Sequence, residues 1–454
     1  MAIVISLAAS DSGYGQSAPG GSSSGKDAPI PAAEVRAAKA SGATERLIAD
    51  YVDPVQGASS INLARRALAS NKELAAVRLE VDRARARVRQ AGLRPNPSVE
   101  YQQLNGVFNS PGESASSIRF ALPLELAGQR GRRIDLARAE LEASEADVAD
   151  RERRLAANVR LAYAETLAAL RELEVTRELN DLDVETARIV EARVKEGDAA
   201  PLELNLLRAE IDRLRGRREL VEGRLQASAL RLKQLVGMSP DETLQTSESL
   251  TAPLLPAPPA SLDSAVEIGL RTRPDLRLAR LLEEVALAGY RLARAQAAPE
   301  VTAFVQYSNV LGTFDGTPVG LLSDRDRLLG YGVSITLPIL NRNQGAKAEA
   351  QLAITQARAR REFLESAVRA EVAAAYRRYE AAQTALQTYE QGVIARSEQN
   401  VNTMRAAYQA GAFRITELLA EQRRLVDSQR ELTEALTERY RALSDLRAAL
   451  GITD

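Results

Sequence analysis

The residues left to do chemistry in this chain of 454 are carboxylates, lysines, arginines and hydroxyls, because it contains neither Cys nor His. Without a thiolate there is no disulfide framework and no Cys-based metal site. Without an imidazole there is no Ser-His catalysis, no HExxH zinc chemistry and no side chain that titrates unaided at neutral pH. Three Met residues, Met1, Met238 and Met404, are too few for a relay of soft metal ligands. The one nucleophile-like motif, GSSSG at 21–25, has no strand before it and no histidine to activate it. Carboxylate-only or lysine-only enzymes stay open, but the composition turns the reading toward binding or transport, with no cofactor and no metal site expected.

The 60 basic and 61 acidic residues leave a net charge of −1, which gives no general reason to expect nucleic acid or an anionic membrane surface as a partner. No run of about 18 apolar residues occurs, so no transmembrane helix is expected. MAIVISLAAS at the start reads either as the remnant of a secretory signal or as a frayed apolar end. Residues 1–45 read as a tail, Gly/Ser/Pro-rich over 11–31 and expected to be disordered.

The elements that must position these groups are duplicated. Gly197, Glu203 and Gly237 recur as Gly411, Glu417 and Gly451, each pair 214 positions apart, and Pro123 recurs as Pro338. AGLRPNPSVEYQ at 91–102 resembles AQAAPEVTAFVQ at 295–306. The reading is a first repeat over 46–250, a Pro-rich linker at 251–260 and a second repeat over 261–454. Each repeat reads helix, two strands, very long helix, turn, helix. From Gly131 to Glu196 the helical pattern is unbroken, which at 1.5 Å per residue makes a helix of roughly 100 Å. Ile134, Leu141, Val148, Leu155 and Ala162 mark a heptad seam on it. A second such helix is expected from about 346 to 410.

A coiled-coil rod would explain the helices but not the strands, expected at about 97–106, 113–122, 299–309 and 328–338. The fourth is the cleanest, with Tyr331, Val333, Ile335 and Leu337 alternating against Gly332, Ser334 and Thr336. Phe304 is an exception to the pattern in the third. Four of the six Phe residues (108, 120, 304 and 314) fall in the hairpin windows, the distribution that an aromatic membrane girdle requires. Tyr101, Phe120, Tyr307, Tyr331, Val333 and Ile335 are the expected lipid-facing set. Soluble sandwiches alternate in the same way, and it is topology that favours the membrane reading: four strands cannot close a barrel, and open edges are prohibitive in lipid. Closure needs several copies: two chains give eight strands, three give twelve.

Each hairpin ends in Leu-Pro-aliphatic followed by a Gly/Gln turn, the place where a strand would re-aim as a helix. Pro123 and Pro338 should end ladder bonding, with Gly128, Gly131 and Gly345 supplying a permissive backbone. Pro95 and Pro299 should end a helix before each hairpin.

From about Ile61 to Thr453 the chain resembles the TolC outer-membrane factor family. The resemblance rests on the duplicated plan and on EARVKEGDAAPLELNLLRAE at 191–210 and YQAGAFRITELLAEQRRLVDSQ at 408–429, which are similar to that family's helical tips. LPILNRNQG at 337–345 and PLELAGQRGRR at 123–133 are most like the heavy-metal efflux, CzcC-type branch. The resemblance implies a mainly α protein with a small β part. That part would form a trimeric twelve-stranded transmembrane barrel, continued by a periplasmic α-helical barrel. It implies an outer-membrane exit duct, not an enzyme, working with a periplasmic adaptor and an inner-membrane RND-type transporter on heavy-metal cations. Drug, protein or peptide export is the alternative work for the same fold, and a soluble scaffold or adaptor the alternative class.

Carried over by residue, Gly197, Pro201, Glu203, Gly411, Phe413 and Glu417 would meet the adaptor at the tips, with Glu417 and Glu421 as constriction candidates. Three copies of Glu417 would form a cation-attracting ring. Equally, Glu417 fits a solvated first-turn carboxylate favoured by the helix dipole. Ala420 stands where some relatives are acidic. The N-terminal Cys that anchors many metal-efflux relatives is absent.

Overall fold

A computed structural model describes residues 47–106, 113–251, 255–314 and 322–452. The expected tail at 1–45, Phe108 and linker residues 252–254 lie outside these.

The chain runs α1 (Ser60–Ser70), α2 (Lys72–Ala91), β1 (Ser98–Asn105), β2 (Ser114–Leu124), α3 (Gln129–Glu196) and α4 (Pro201–Val236). It then repeats that order as α5 (Leu262–Thr272), α6 (Pro274–Ala295), β3 (Glu300–Phe314), β4 (Leu322–Thr336), α7 (Gln344–Thr388), α8 (Ile394–Gln409) and α9 (Ile415–Ala449). Local chemistry sets most of these boundaries. The side chains of Ser59, Asn71 and Ser261 accept the amides of Asn62, Leu74 and Ser264 and so cap α1, α2 and α5. Pro201 and Pro274 open α4 and α6, where a missing N–H costs nothing. Gly197, Gly237, Gly411 and Gly451 take left-handed φ values of 76–86° just past helix ends.

The helix α3 is continuous for 68 residues. The second long helix is not: a π turn at Tyr389–Val393 separates α7 from α8. The expected heptad seam is also shifted. Ala162 is buried, but Ile134, Leu141, Val148 and Leu155 are only half-buried, and Ala137, Ala143 and Ala146 are buried instead. Over its length α3 packs in turn on α1, α2, α4, α6 and α9, so no single stripe serves all its partners. The largest apolar core gathers Val159, Tyr163, Leu167, Leu170 and Leu173 of α3 with Val221, Leu225 and Leu232 of α4 and Leu436 and Tyr440 of α9.

The four strands form one antiparallel sheet in the order β1-β2-β3-β4. In the second hairpin both strands are 15 residues long, so the extra length between Pro299 and Pro338 lengthens the strands. Strand β4 starts at Leu322, six residues before the expected start, and ends at Thr336 rather than about 338. Pro123 does not end the ladder; it lies inside β2 opposite Thr302, one residue from the strand end. Pro338 lies beyond β4, and Pro95 and Pro299 precede β1 and β3.

The strand-to-helix bends are also made differently. Gly128 supplies a left-handed turn (φ 75°) immediately before α3. Gly131 lies within α3 and Gly345 within α7, both at ordinary helical φ, and the left-handed residue of the second bend is Asn343 (φ 55°). Asn enters this conformation more readily than most residues that carry a Cβ, and here its side-chain N–H ties the bend to the end of α6 by donating to the Ala293 carbonyl at 2.9 Å.

Candidate functional site

Two regions concentrate the residues singled out above. The first is the sheet. Its register aligns Tyr101, Ile118, Tyr307 and Leu329 in one cross-strand row, and Val99, Phe120, Val305 and Tyr331 in the next. Leu122, Ala303 and Val333 form a third row, and Leu124, Val301 and Ile335 a fourth. Directly opposed residues share a face, so all six of Tyr101, Phe120, Tyr307, Tyr331, Val333 and Ile335 lie on one face. They are exposed, Tyr331 by 85%. The rows extend the apolar face over seven residues of β3, roughly 20 Å along the strand.

The other face carries Glu100, Arg119, Gln306, Ser308, Thr302 and Ser334. Phe304 belongs to that polar face. Its ring packs over Gly332, where a Cβ would come within 2.9 Å of it, and the Arg119 guanidinium lies 4.1 Å from its centroid. The signal for this contact was in the sequence, as a glycine in an otherwise alternating strand. Its partner, however, was visible only through the register. β1 and β4 are the outer strands and each has one unpaired edge within the chain.

The second region is the pair of helical tips, α3/α4 and α8/α9. Buried Val190, Leu204, Leu207, Tyr408, Ile415 and Leu418 pack the two turns together. A polar clamp then ties them. The Tyr408 hydroxyl donates to Glu203 Oε2 at 2.8 Å. Arg193 donates to the Tyr408 carbonyl at 3.2 Å and sits 5.0 Å from the ring centroid. Burial, then the Glu203 bond, push the Tyr408 hydroxyl up to about 12. Sequence reasoning found Glu203 but missed Tyr408 and Arg193, which precede the turn glycines as ordinary last-turn helical residues.

Glu417 is exposed, and its Oε2 accepts the Arg414 amide at 2.9 Å, closing the first turn of α9. Glu421 is bound to Arg424 and its side chain is only 16% exposed. Phe413, 44% exposed, and Leu202, 66% exposed, leave apolar surface at the tips. Farther along the helices is a pair of buried carboxylates, edged by arginines, that sequence reasoning also missed. Asp183 of α3 lies near Glu210 of α4, facing Arg405 of α8 and Arg423 of α9. Arg423 bonds Glu210 at 3.0 Å, joining the two helical hairpins. Burial, reinforced by Glu210, pushes the Asp183 carboxyl up to about 7.

Among the described residues, no helix is long and apolar enough to cross a membrane, and no group of three or more carboxylates is placed to hold a metal ion.

A small sheet with one exposed apolar face and two open edges, carried on paired helical hairpins, is an arrangement suited to an outer-membrane protein. The chain belongs to the outer membrane efflux protein family, whose model matches residues 63–238 and 267–452. It is thus an outer-membrane protein with a large periplasmic portion. It is 26% identical over 400 residues to the cobalt-zinc-cadmium resistance protein CzcC of Cupriavidus metallidurans, covering 85% of this chain and 88% of that one. It is 27% identical over 407 residues to the pyoverdine export outer membrane protein OpmQ of Pseudomonas putida, covering 84% and 82%. Among solved structures it resembles CusC, with a TM-score of 0.74 at 21% identity over 87% of this chain and 93% of that one.

Proposed function

We propose that three copies of this chain assemble into a passive outer-membrane exit duct for a tripartite efflux pump, and that its substrates are heavy-metal cations. The observation that carries this reading is the sheet. Its apolar face is too large and too exposed for a periplasmic surface, while its two free edges need partners if that face lies in lipid. Three four-stranded sheets joined β4 to β1 would give a closed barrel of twelve strands with the polar face inward.

In this reading Tyr101, Phe120, Tyr307, Tyr331, Val333 and Ile335 face lipid. The helices continue the duct into the periplasm, and the tips at Gly197–Leu204 and Gly411–Leu418 meet a periplasmic adaptor. Exposed Leu202 and Phe413 are the apolar anchors of that contact. Glu417, exposed although it closes the first turn of α9, lines the constriction; Glu421, already paired with Arg424, adds less charge there. Energy and substrate choice come from an inner-membrane RND-type transporter. Metal cations are favoured by the likeness to CzcC. The likeness to OpmQ favours a second reading, the export of an organic solute through the same duct.

The test is the detergent-corrected mass of the purified protein together with single-channel conductance in a planar bilayer. A trimer with a stable pore supports the duct. A non-conducting monomer that needs no detergent overturns it. Restored cobalt, zinc or cadmium tolerance in a strain lacking its own metal-efflux outer-membrane channel would then separate the metal reading from the organic-solute one.

A further inference from the structure

Strand β4 contains Asp324-Arg325-Asp326-Arg327, and a strand sends alternate side chains to opposite faces. The register decides which charge goes where. Arg327 pairs with Asn309 and Arg325 with Leu311, in step with Leu329, Tyr331 and Val333, so both arginines lie on the apolar face. Asp324 and Asp326 fall in step with Gly330 and Gly332 on the polar face. All four are exposed. Asp324 Oδ1 accepts the backbone amide of Arg325 at 2.8 Å, and neither guanidinium forms an ion pair among the described residues. Alternation alone thus strips two arginines of their neighbouring counterions and presents both on one side.

Their height on the sheet is equally specific. They lie one and two rows beyond Tyr101 and Tyr307, toward the strand ends farthest from the helices. Cationic side chains on a lipid-facing strand are tolerated at the interface and not at mid-depth, and a tyrosine row marks that interface. With the helices in the periplasm, the far strand ends meet the outer leaflet. A planar guanidinium fork suits a phosphate group.

We infer that Arg325 and Arg327 form a binding surface for the phosphate groups of an outer-leaflet lipid headgroup, which fixes the depth of the barrel in the membrane. The inference rests on the proposed barrel, with the apolar face toward lipid.

The test titrates the purified channel in a non-ionic detergent with lipid A, with dephosphorylated lipid A and with inorganic phosphate, counting bound lipid by native mass spectrometry. Three variants are compared with the wild type: R325Q/R327Q, R325K/R327K, and the composition-preserving swap D324R/R325D/D326R/R327D. Lipid A binding should weaken about fivefold for each arginine removed, the weight of one cationic side chain at an anionic surface, and should fade as salt rises. R325K/R327K should retain part of it, the swap should lose it at unchanged net charge, and dephosphorylated lipid A should bind the wild type no better than it binds R325Q/R327Q. Lipid A retention by R325Q/R327Q equal to wild type, in channels of normal conductance, overturns the inference and leaves the duct standing. Displacement of lipid A by millimolar inorganic phosphate overturns the lipid assignment in favour of a simple anion site. A protein that forms no channel at all overturns the duct and the inference together.

Discussion

Asp183 is 4% exposed in the middle of a helical assembly otherwise rich in ion pairs. Its carboxyl faces Glu210 as well as Arg405 and Arg423, and burial outweighs the two cations, so its folded pKa of about 7 stands well above the ordinary 3.8. For an acid shifted upward, the folded state holds the extra proton between these two values. Its contribution is therefore fully present below about pH 4 and is lost as pH rises through about 7. Asp183→Asn should raise the thermal midpoint at pH 8 and flatten its fall between pH 4 and 7, with an effect on the order of a few kcal/mol at most. An unchanged pH profile would mean that the cluster opens to water. At the tip, Tyr408→Phe removes one charge-assisted bond and leaves Glu203 without its partner, which should cost about 1–2 kcal/mol. The two hairpins should then part more readily, read as faster proteolysis at 197–201 with the sheet unaffected. The candidate site was legible at this scale only in part. Glu203 and Glu417 stood out because they recur after matching glycines. That one is bound by a tyrosine 205 residues away while the other caps its own helix depends on how the hairpins dock. No spacing in the sequence encodes that.

At the scale of elements, the strand-to-helix bends test the backbone argument directly. Gly128 holds φ 75° with nothing near its missing side chain, so Gly128→Ala should destabilise by about 1 kcal/mol through backbone strain alone. Gly131, three residues on, is an ordinary helical residue with equally open surroundings, and Gly131→Ala should stabilise by about 0.5–1 kcal/mol. Opposite signs in thermal denaturation are the expected result, and equal signs would remove the distinction. The sequence put a bend in this stretch correctly, from proline and glycine chemistry. It misplaced the residue in the second repeat because Asn343 takes the left-handed turn beside a glycine that does not need it. Helices and strands were legible because their hydrophobic periods differ. The α3 seam was not, because a helix with five packing partners has no single period to read. Paired charges mark the same limit. Glu172 of α3 accepts from Arg217 at 3.0 Å and Arg224 at 2.7 Å, one heptad apart on α4. In the sequence these are only more charges on polar helix faces.

The whole molecule poses one question that its elements leave open, because the sheet ends in two unpaired edges, one on β1 and one on β4. An isolated sheet in water can blunt its edges with charge, yet β1 and β4 carry Val99, Tyr101, Tyr331, Val333 and Ile335 on one face beside those edges. In lipid the unpaired amides and carbonyls would cost several kcal/mol each, so the proposed trimer requires β1 of one copy to pair with β4 of the next. The absence of cysteine makes this easy to test, since the background for oxidation is zero. Tyr101→Cys is combined in turn with Leu329→Cys, Tyr331→Cys and Val333→Cys, which scans the unknown stagger between copies. Within one chain these positions are separated by β2 and β3, too far for a disulfide, whose Cα atoms must come within about 7 Å. At least one pair should therefore give covalent dimers and trimers on denaturing gels after oxidation in the membrane, and no higher species, because a ring of three leaves no edge. A ladder continuing past three would mean that the edges pair without closing. No cross-link at any stagger would mean that the edges are covered in some other way, and the twelve-stranded barrel would fall with it.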